Sequence, residues 1–125
     1  VVLPRLKTDL LEILEAILDG RLEEMEIEWD QGAAVCVVLA SGGYPASYET
    51  GKPIRGLEKF QDREDLIVFH AGTKQTAEGL VTSGGRVLGG TALADDLEQA
   101  IRKAYDAVPW ITFENLHYRR DIGVK

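Results

Sequence analysis

Apolar and polar residues recur along this chain with two periods. Leu10, Leu14, Ile17 and Leu18 repeat at about 3.6 residues and share one face of a helix starting near Leu10. Thr8 or Asp9 caps its start, and Glu12 stands three residues after Asp9 at capping-box spacing, with Asp in place of the usual Ser or Thr. Gly20 suits the left-handed position after its end. From Glu23 to Trp29 the period falls to two. Met25, Ile27 and Trp29 face one way and Glu24, Glu26 and Glu28 the other, which predicts a half-buried strand. Asp30-Gln31-Gly32 is a turn, and the apolar run over 33–40 predicts a returning strand of interior type.

Residues 41–57 are rich in glycine and proline and read as loop, followed by a charged segment over 58–65. Leu66 to Ala71 predicts another strand. Leu80-Val81-Thr82 and Arg86-Val87-Leu88 flank Ser83-Gly84-Gly85 as a hairpin would, with Thr91-Ala92-Leu93 extending the second strand past Gly89-Gly90. A second helix starts at Asp95, where Glu98 repeats the Asp-x-x-Glu spacing. Its buried stripe is Leu97, Ala100, Ile101, Ala104 and Val108, and Pro109 stops it. Helix, several strands, helix is an α+β pattern.

The 33–40 run drops into Ser41-Gly42-Gly43-Tyr44-Pro45. Glycines there let the backbone take positive φ or approach another group closely, and proline fixes the exit. Such a loop can present backbone N–H groups outward. The 125 residues suit one domain with a real core, and the net charge of −7 opposes a nucleic-acid surface. Cys36 is the one cysteine, so no internal disulfide exists and a reducing compartment is expected. No signal-peptide pattern or membrane-length apolar run occurs. The apolar start Val1-Val2-Leu3-Pro4, without methionine, suggests a piece of a longer protein.

Six segments, in order, carry a resemblance. They are Leu3 to Leu11, Val35 to Tyr48, Gly51-Lys52-Pro53-Ile54, Val68-Phe69-His70-Ala71-Gly72-Thr73, Thr82 to Leu88, and His117-Tyr118-Arg119-Arg120-Asp121-Ile122-Gly123. Together they resemble the C-terminal part of the phosphoribosylamine–glycine ligase family, ATP-grasp enzymes of purine biosynthesis. The resemblance implies a longer parent chain that joins glycine to 5-phosphoribosylamine with ATP and magnesium (or manganese), in the cytoplasm. It implies that the nucleotide and metal ligands lie outside these residues. It also implies that residues 1–24 are the closing helix of the ATP-grasp unit, and that residues 25–125 are a small antiparallel, β-rich, barrel-sandwich-like domain with a helix packed on it. The implied partners are the remaining domains and the small substrates; neither nucleic acid nor membrane is implied. The 10–22 segment also resembles the equivalent helix of biotin carboxylases and other ATP-grasp carboxylases, and a free-standing binding module is the rival from another class.

Against that background the candidate contacts are few. Ser41, Gly42, Gly43 and Tyr44 match neither phosphate-loop pattern, and two readings stand: a tight turn, or amides at the edge of a phosphoribosyl or nucleotide pocket. Arg86, flanked by glycines, and the pair Arg119-Arg120 are the best anion contacts, because guanidinium groups match phosphate oxygens bidentately; solvated charge or ion pairing is the plainer reading. Arg5 and Lys7 precede the first helix and are either pocket residues or interdomain packing. Cys36 reads as an inert core residue, since it has no neighbouring base. His70 reads as partly buried and bonded to a nearby loop, and with Cys36 and His117 it lacks metal-ligand spacing. The glutamates at 23, 24 and 26 read as a solvated edge.

Overall fold

The computed structural model describes residues 1–124. In chain order its elements are α1 (Leu10–Leu18), β1 (Ala33–Ala40), β2 (Leu66–His70), β3 (Thr73–Thr76), β4 (Gly79–Thr82), β5 (Arg86–Ala94) and α2 (Leu97–Ala107), with short 3-10 turns between several of them. β1, β5 and β2 form an antiparallel sheet in that order, and β3 pairs with β4 in a second, two-stranded sheet. α2 packs across β5 and β1. This is the expected α+β arrangement of antiparallel sheets with a helix laid on them.

Both helices begin where their caps dictate. Asp9 accepts the Leu11 N–H at 2.7 Å, and Gly20 takes φ +68° just past the end of α1. For α2 the cap is Asp96, one residue later than the spacing suggests, accepting the Gln99 N–H at 2.8 Å. The stripe of α2 does turn inward: Ala100, Ala104 and Val108 are buried, together with Ala107. Its small alanines bring the helix close to Val35, Val37, Leu39, Leu88 and Ala92 on the sheet. Leu97, at the first turn, stays exposed.

Three expectations fail for reasons of pairing. The 23–29 segment is not a strand. It starts as a 3-10 turn at Leu22–Glu24 and runs on beside residues 5–8, where Lys7 N–H donates to Glu28 O and Leu6 bridges Trp29. It pairs with no strand of either sheet, and its alternation buries little: Met25 is half-buried, Ile27 and Trp29 exposed. The 33–40 run pairs with β5 instead, and on one side only, so β1 is an edge strand whose Val38 faces solvent. The hairpin around Ser83-Gly84-Gly85 does not form either. β4 turns back onto β3 across Ala77-Glu78, and the glycines carry the chain from the small sheet to the large one.

The apolar stripe of α1 is uncovered. Ile13 and Ala16 turn toward the protein, whereas Leu10, Leu14, Ile17 and Leu18 face out, Leu18 at 86% exposure. The helix packs chiefly on the turn at Leu22–Glu24. An apolar ridge of this kind is an association surface. The isolated chain is expected to self-associate as concentration rises, and Leu14→Glu to return it toward monomer; size exclusion over a dilution series checks this.

One charged cluster ties β2 to α2. Asp65 accepts both Arg63 Nε and Nη2 (2.7 and 2.8 Å) and lies 2.8 Å from Lys103 Nζ, which also donates to Leu93 O. The hydrogen-bonded Arg63 guanidinium, followed by Lys103, holds the Asp65 carboxyl far below the usual range. A depressed carboxyl adds stability above its unfolded value and loses it as pH falls through the folded one. The wild type is therefore expected to exceed Asp65→Asn in stability at neutral pH, the gap narrowing steadily below about pH 4. Urea midpoints across pH measure it.

Candidate functional site

Three glycine-bearing loops meet at one end of the large sheet, where β1 and β2 end and β5 begins. Ser41 N–H donates to Gly85 O and its buried Oγ donates to Gly84 O, both at 2.8 Å. The N–H groups of Ala71 and Gly72 both donate to Val87 O, and Ser83 N–H donates to Gly72 O at 2.7 Å. The backbones lie so close that a Cβ on Gly72 would stand 2.6 Å from Arg86 O. Tyr44 lies on Gly85, where any side chain would overlap its ring.

Arg86 opens β5 at this junction. Its side chain is exposed, and among the described residues it makes no hydrogen bond or ion pair. It borders an open groove of about 540 Å³ with Tyr44, Val38, Phe69, Gly72 and Gly89. An unpaired guanidinium beside tightly packed glycine backbone is equipped to take an anion.

The structure thus brings Tyr44 and Arg86 to one groove. Ser41 does not line it, because its hydroxyl is buried and spent on holding the 83–86 loop. Gly43 supplies the turn, at φ +97°. Gly42 faces the other side, against Asn115, where a polar hollow of about 220 Å³ opens beside Lys52. Lys52 Nζ sits 2.9 Å from Glu49 and 3.1 Å from Glu114; these contacts, Glu49 first, raise its pKa.

Arg119 and Arg120 lie elsewhere. Their segment is anchored by the bridge between His117 and Ala40, but Arg119 is engaged by Asp121 at 2.6 and 2.9 Å and Arg120 lies over the Tyr118 ring at 5.5 Å. Arg5 Nη2 donates to Asp30 O at 3.0 Å, and Lys7 is exposed. Cys36 is half-buried, with Sγ 3.0 Å from where a Gly89 Cβ would stand. His70 is exposed rather than partly buried, yet it does bond its loop, Nδ1 lying 3.0 Å from Thr73 Oγ1. Sequence pattern does not single out Gly72, Phe69 or Lys52 as site residues. Each sits in a segment whose pattern is ordinary, and only pairing gives it neighbours.

The architecture is that of a small accessory α+β domain with a glycine-loop junction at one sheet end. The chain belongs to the family described as phosphoribosylglycinamide synthetase, C domain, whose sequence profile matches residues 34–125. A phosphoribosylamine–glycine ligase of Chlorobaculum tepidum is 51% identical over 125 residues, all of this chain and 29% of that protein. A bifunctional purine biosynthetic protein purD of Dictyostelium discoideum is 46% identical over 126 residues, all of this chain and 16% of that protein. A crystal structure of a Thermotoga maritima phosphoribosylamine–glycine ligase superposes with TM-score 0.68 at 38% identity, covering 87% of this chain and 27% of that one. The chain therefore spans under a third of the length of these relatives. Among the described residues no helix is long and apolar enough to cross a membrane.

Proposed function

We propose that these residues form the C-terminal domain of a cytoplasmic ATP-grasp ligase that joins glycine to 5-phosphoribosylamine, with release of ADP and phosphate, in purine biosynthesis. The supporting observation is similarity along the whole chain to ligases of which it spans under a third. Residues 1–24 are read as the closing helix of the ATP-grasp unit, with the apolar ridge of α1 seated on the remaining domains. Residues 25–125 are read as the lid beside it.

In this reading Arg86 takes the phosphate of the ribosylamine and Tyr44 shields that contact from water. Ser41 and Gly85 fix the loop that carries the guanidinium, and Gly42 and Gly43 shape the turn. Arg119 and Arg120 are secondary anion contacts, available once Asp121 releases the first. Among the described residues no three His, Cys, Asp or Glu side chains converge as metal ligands. The handling of ATP and magnesium (or manganese) is read as mainly the work of the rest of the parent chain, on the resemblance alone.

In the full-length ligase, Arg86→Ala is expected to raise KM for the phosphorylated amine by on the order of tenfold or more while changing kcat less, the loss of a charge-assisted hydrogen bond to a bound anion. An unchanged KM would refute the assignment. The 125 residues alone are expected to give no ATP-dependent product.

A further inference from the structure

Arg86 stands at a strand start where the ladder loses its register. β5 pairs regularly with β1 from Ala94 to Leu88, which lies opposite Leu39. The next pair is Arg86 with Ala40, so Val87 is an extra residue. A bulge of this kind bends its strand and re-aims the side chains beside it. Two loops supply the restraint that regular pairing would otherwise give. On one flank Ser41 bonds Gly84 O through Oγ and Gly85 O through N–H. On the other, the N–H groups of Ala71 and Gly72 converge on Val87 O, at 3.0 and 3.1 Å. Gly72 O in turn accepts the Ser83 N–H at 2.7 Å. Gly72 thus bonds the chain both before and after Arg86, whose own side chain is exposed.

We propose that Gly72 is a positioning residue for the ligase reaction: it fixes the backbone of Arg86, and with it the place where the guanidinium meets the phosphorylated amine. The requirement at Gly72 is for room, since its φ lies outside the left-handed region. A Cβ there would stand 2.6 Å from Arg86 O, 2.8 Å from Gly84 Cα and 2.9 Å from Gly84 N. All three are backbone atoms, which no change of rotamer moves aside. Any side chain at residue 72 therefore pushes the 83–86 backbone away and carries Arg86 with it. A guanidinium whose Cα is already fixed loses less freedom on taking an anion, and a small displacement of it weakens that contact. The proposal rests on the reading of Arg86 as the phosphate contact.

The test is a double-mutant cycle in the full-length ligase, with Gly72→Ala and Arg86→Ala singly and together. Gly72→Ala is expected to raise KM for the phosphorylated amine by on the order of fivefold, with kcat and the KM values for glycine and ATP changing less. In the Arg86→Ala background it should add nothing, because the group it places is gone. Gly84→Ala is the gentler variant, since its Cβ would meet Gly72 Cα at 3.1 Å, a contact that yields by a few tenths of an ångström. It should raise the same KM by roughly twofold, again only while Arg86 is present, and it decides the matter should Gly72→Ala not fold. Gly90→Ala is the control: it lies in the same strand, nothing comes nearer its added Cβ than 3.9 Å, and KM should not move. An unchanged KM in the folded variants, or an equal rise with and without Arg86, overturns the positioning role and leaves the phosphate contact standing. An Arg86→Ala enzyme with unchanged KM overturns both.

Discussion

Gly56→Ala is expected to destabilise the protein by about 3 kcal/mol or more, near the upper end of single substitutions. Gly56 is buried and holds φ +93°, and a Cβ there would overlap the carbonyl oxygen of Trp110. The left-handed conformation alone costs an alanine about 1–2 kcal/mol. The rest comes from the overlap, which cannot relax cheaply. Arg55 and Thr112 exchange two backbone hydrogen bonds at 3.0 Å, one residue from Gly56 and two from Trp110, and these hold the two backbones together. Gly20 supplies the control: φ is +68° and nothing lies within 4 Å of its added Cβ. Gly20→Ala should show the conformational cost only. Equal urea midpoints for the two variants would mean that the Trp110 contact yields freely.

Leu39→Ala is expected to cost about 3–4 kcal/mol, within the range for a leucine emptied from a packed core. Leu39 is fully buried on β1 beside Leu88, in the layer covered by α2. Truncation removes apolar area from the core and leaves a cavity that neighbours on two sheet strands and a helix cannot fill together. Leu14→Ala, on the outward ridge of α1, should change stability by only about 0.5 kcal/mol in either direction. Thermal unfolding of the two variants compares them directly, and a similar loss in both would contradict the burial described. The pair matters because hydrophobic patterning alone does not tell the two leucines apart.

That difference shows where local pattern stops. Periodicity reports that Leu10, Leu14, Ile17 and Leu18 share a face, but not what covers it. The buried stripe of α2 is legible because its neighbours lie within the same chain, whereas α1 presents its stripe outward. The strands are legible as segments. β5 can be read through both of its internal glycines, because apolar residues flank them on either side. Its partners are not legible, since a local hairpin around Ser83-Gly84-Gly85 is the shortest closure and loses to longer-range pairing with β1 and β2. The site shows the same division. Ser41 to Tyr44 and Arg86 stand out by composition, yet only the hydrogen bonds from Ser41 to Gly84 and Gly85 join them. Arg119 has an equal claim by residue type and proves to be engaged by Asp121.

The sequence by itself determined to within a residue or two where helices start and stop, because Asp caps, C-terminal glycine and Pro109 act on backbone groups within a turn of themselves. It also determined the α+β class and the family, since six motifs in order reflect common descent whatever their contacts. The tertiary structure alone decided which strand is central, which leucines are wet, and which arginines form ion pairs. Those depend on residues far apart in sequence meeting at fixed distances, and no local period encodes the meeting.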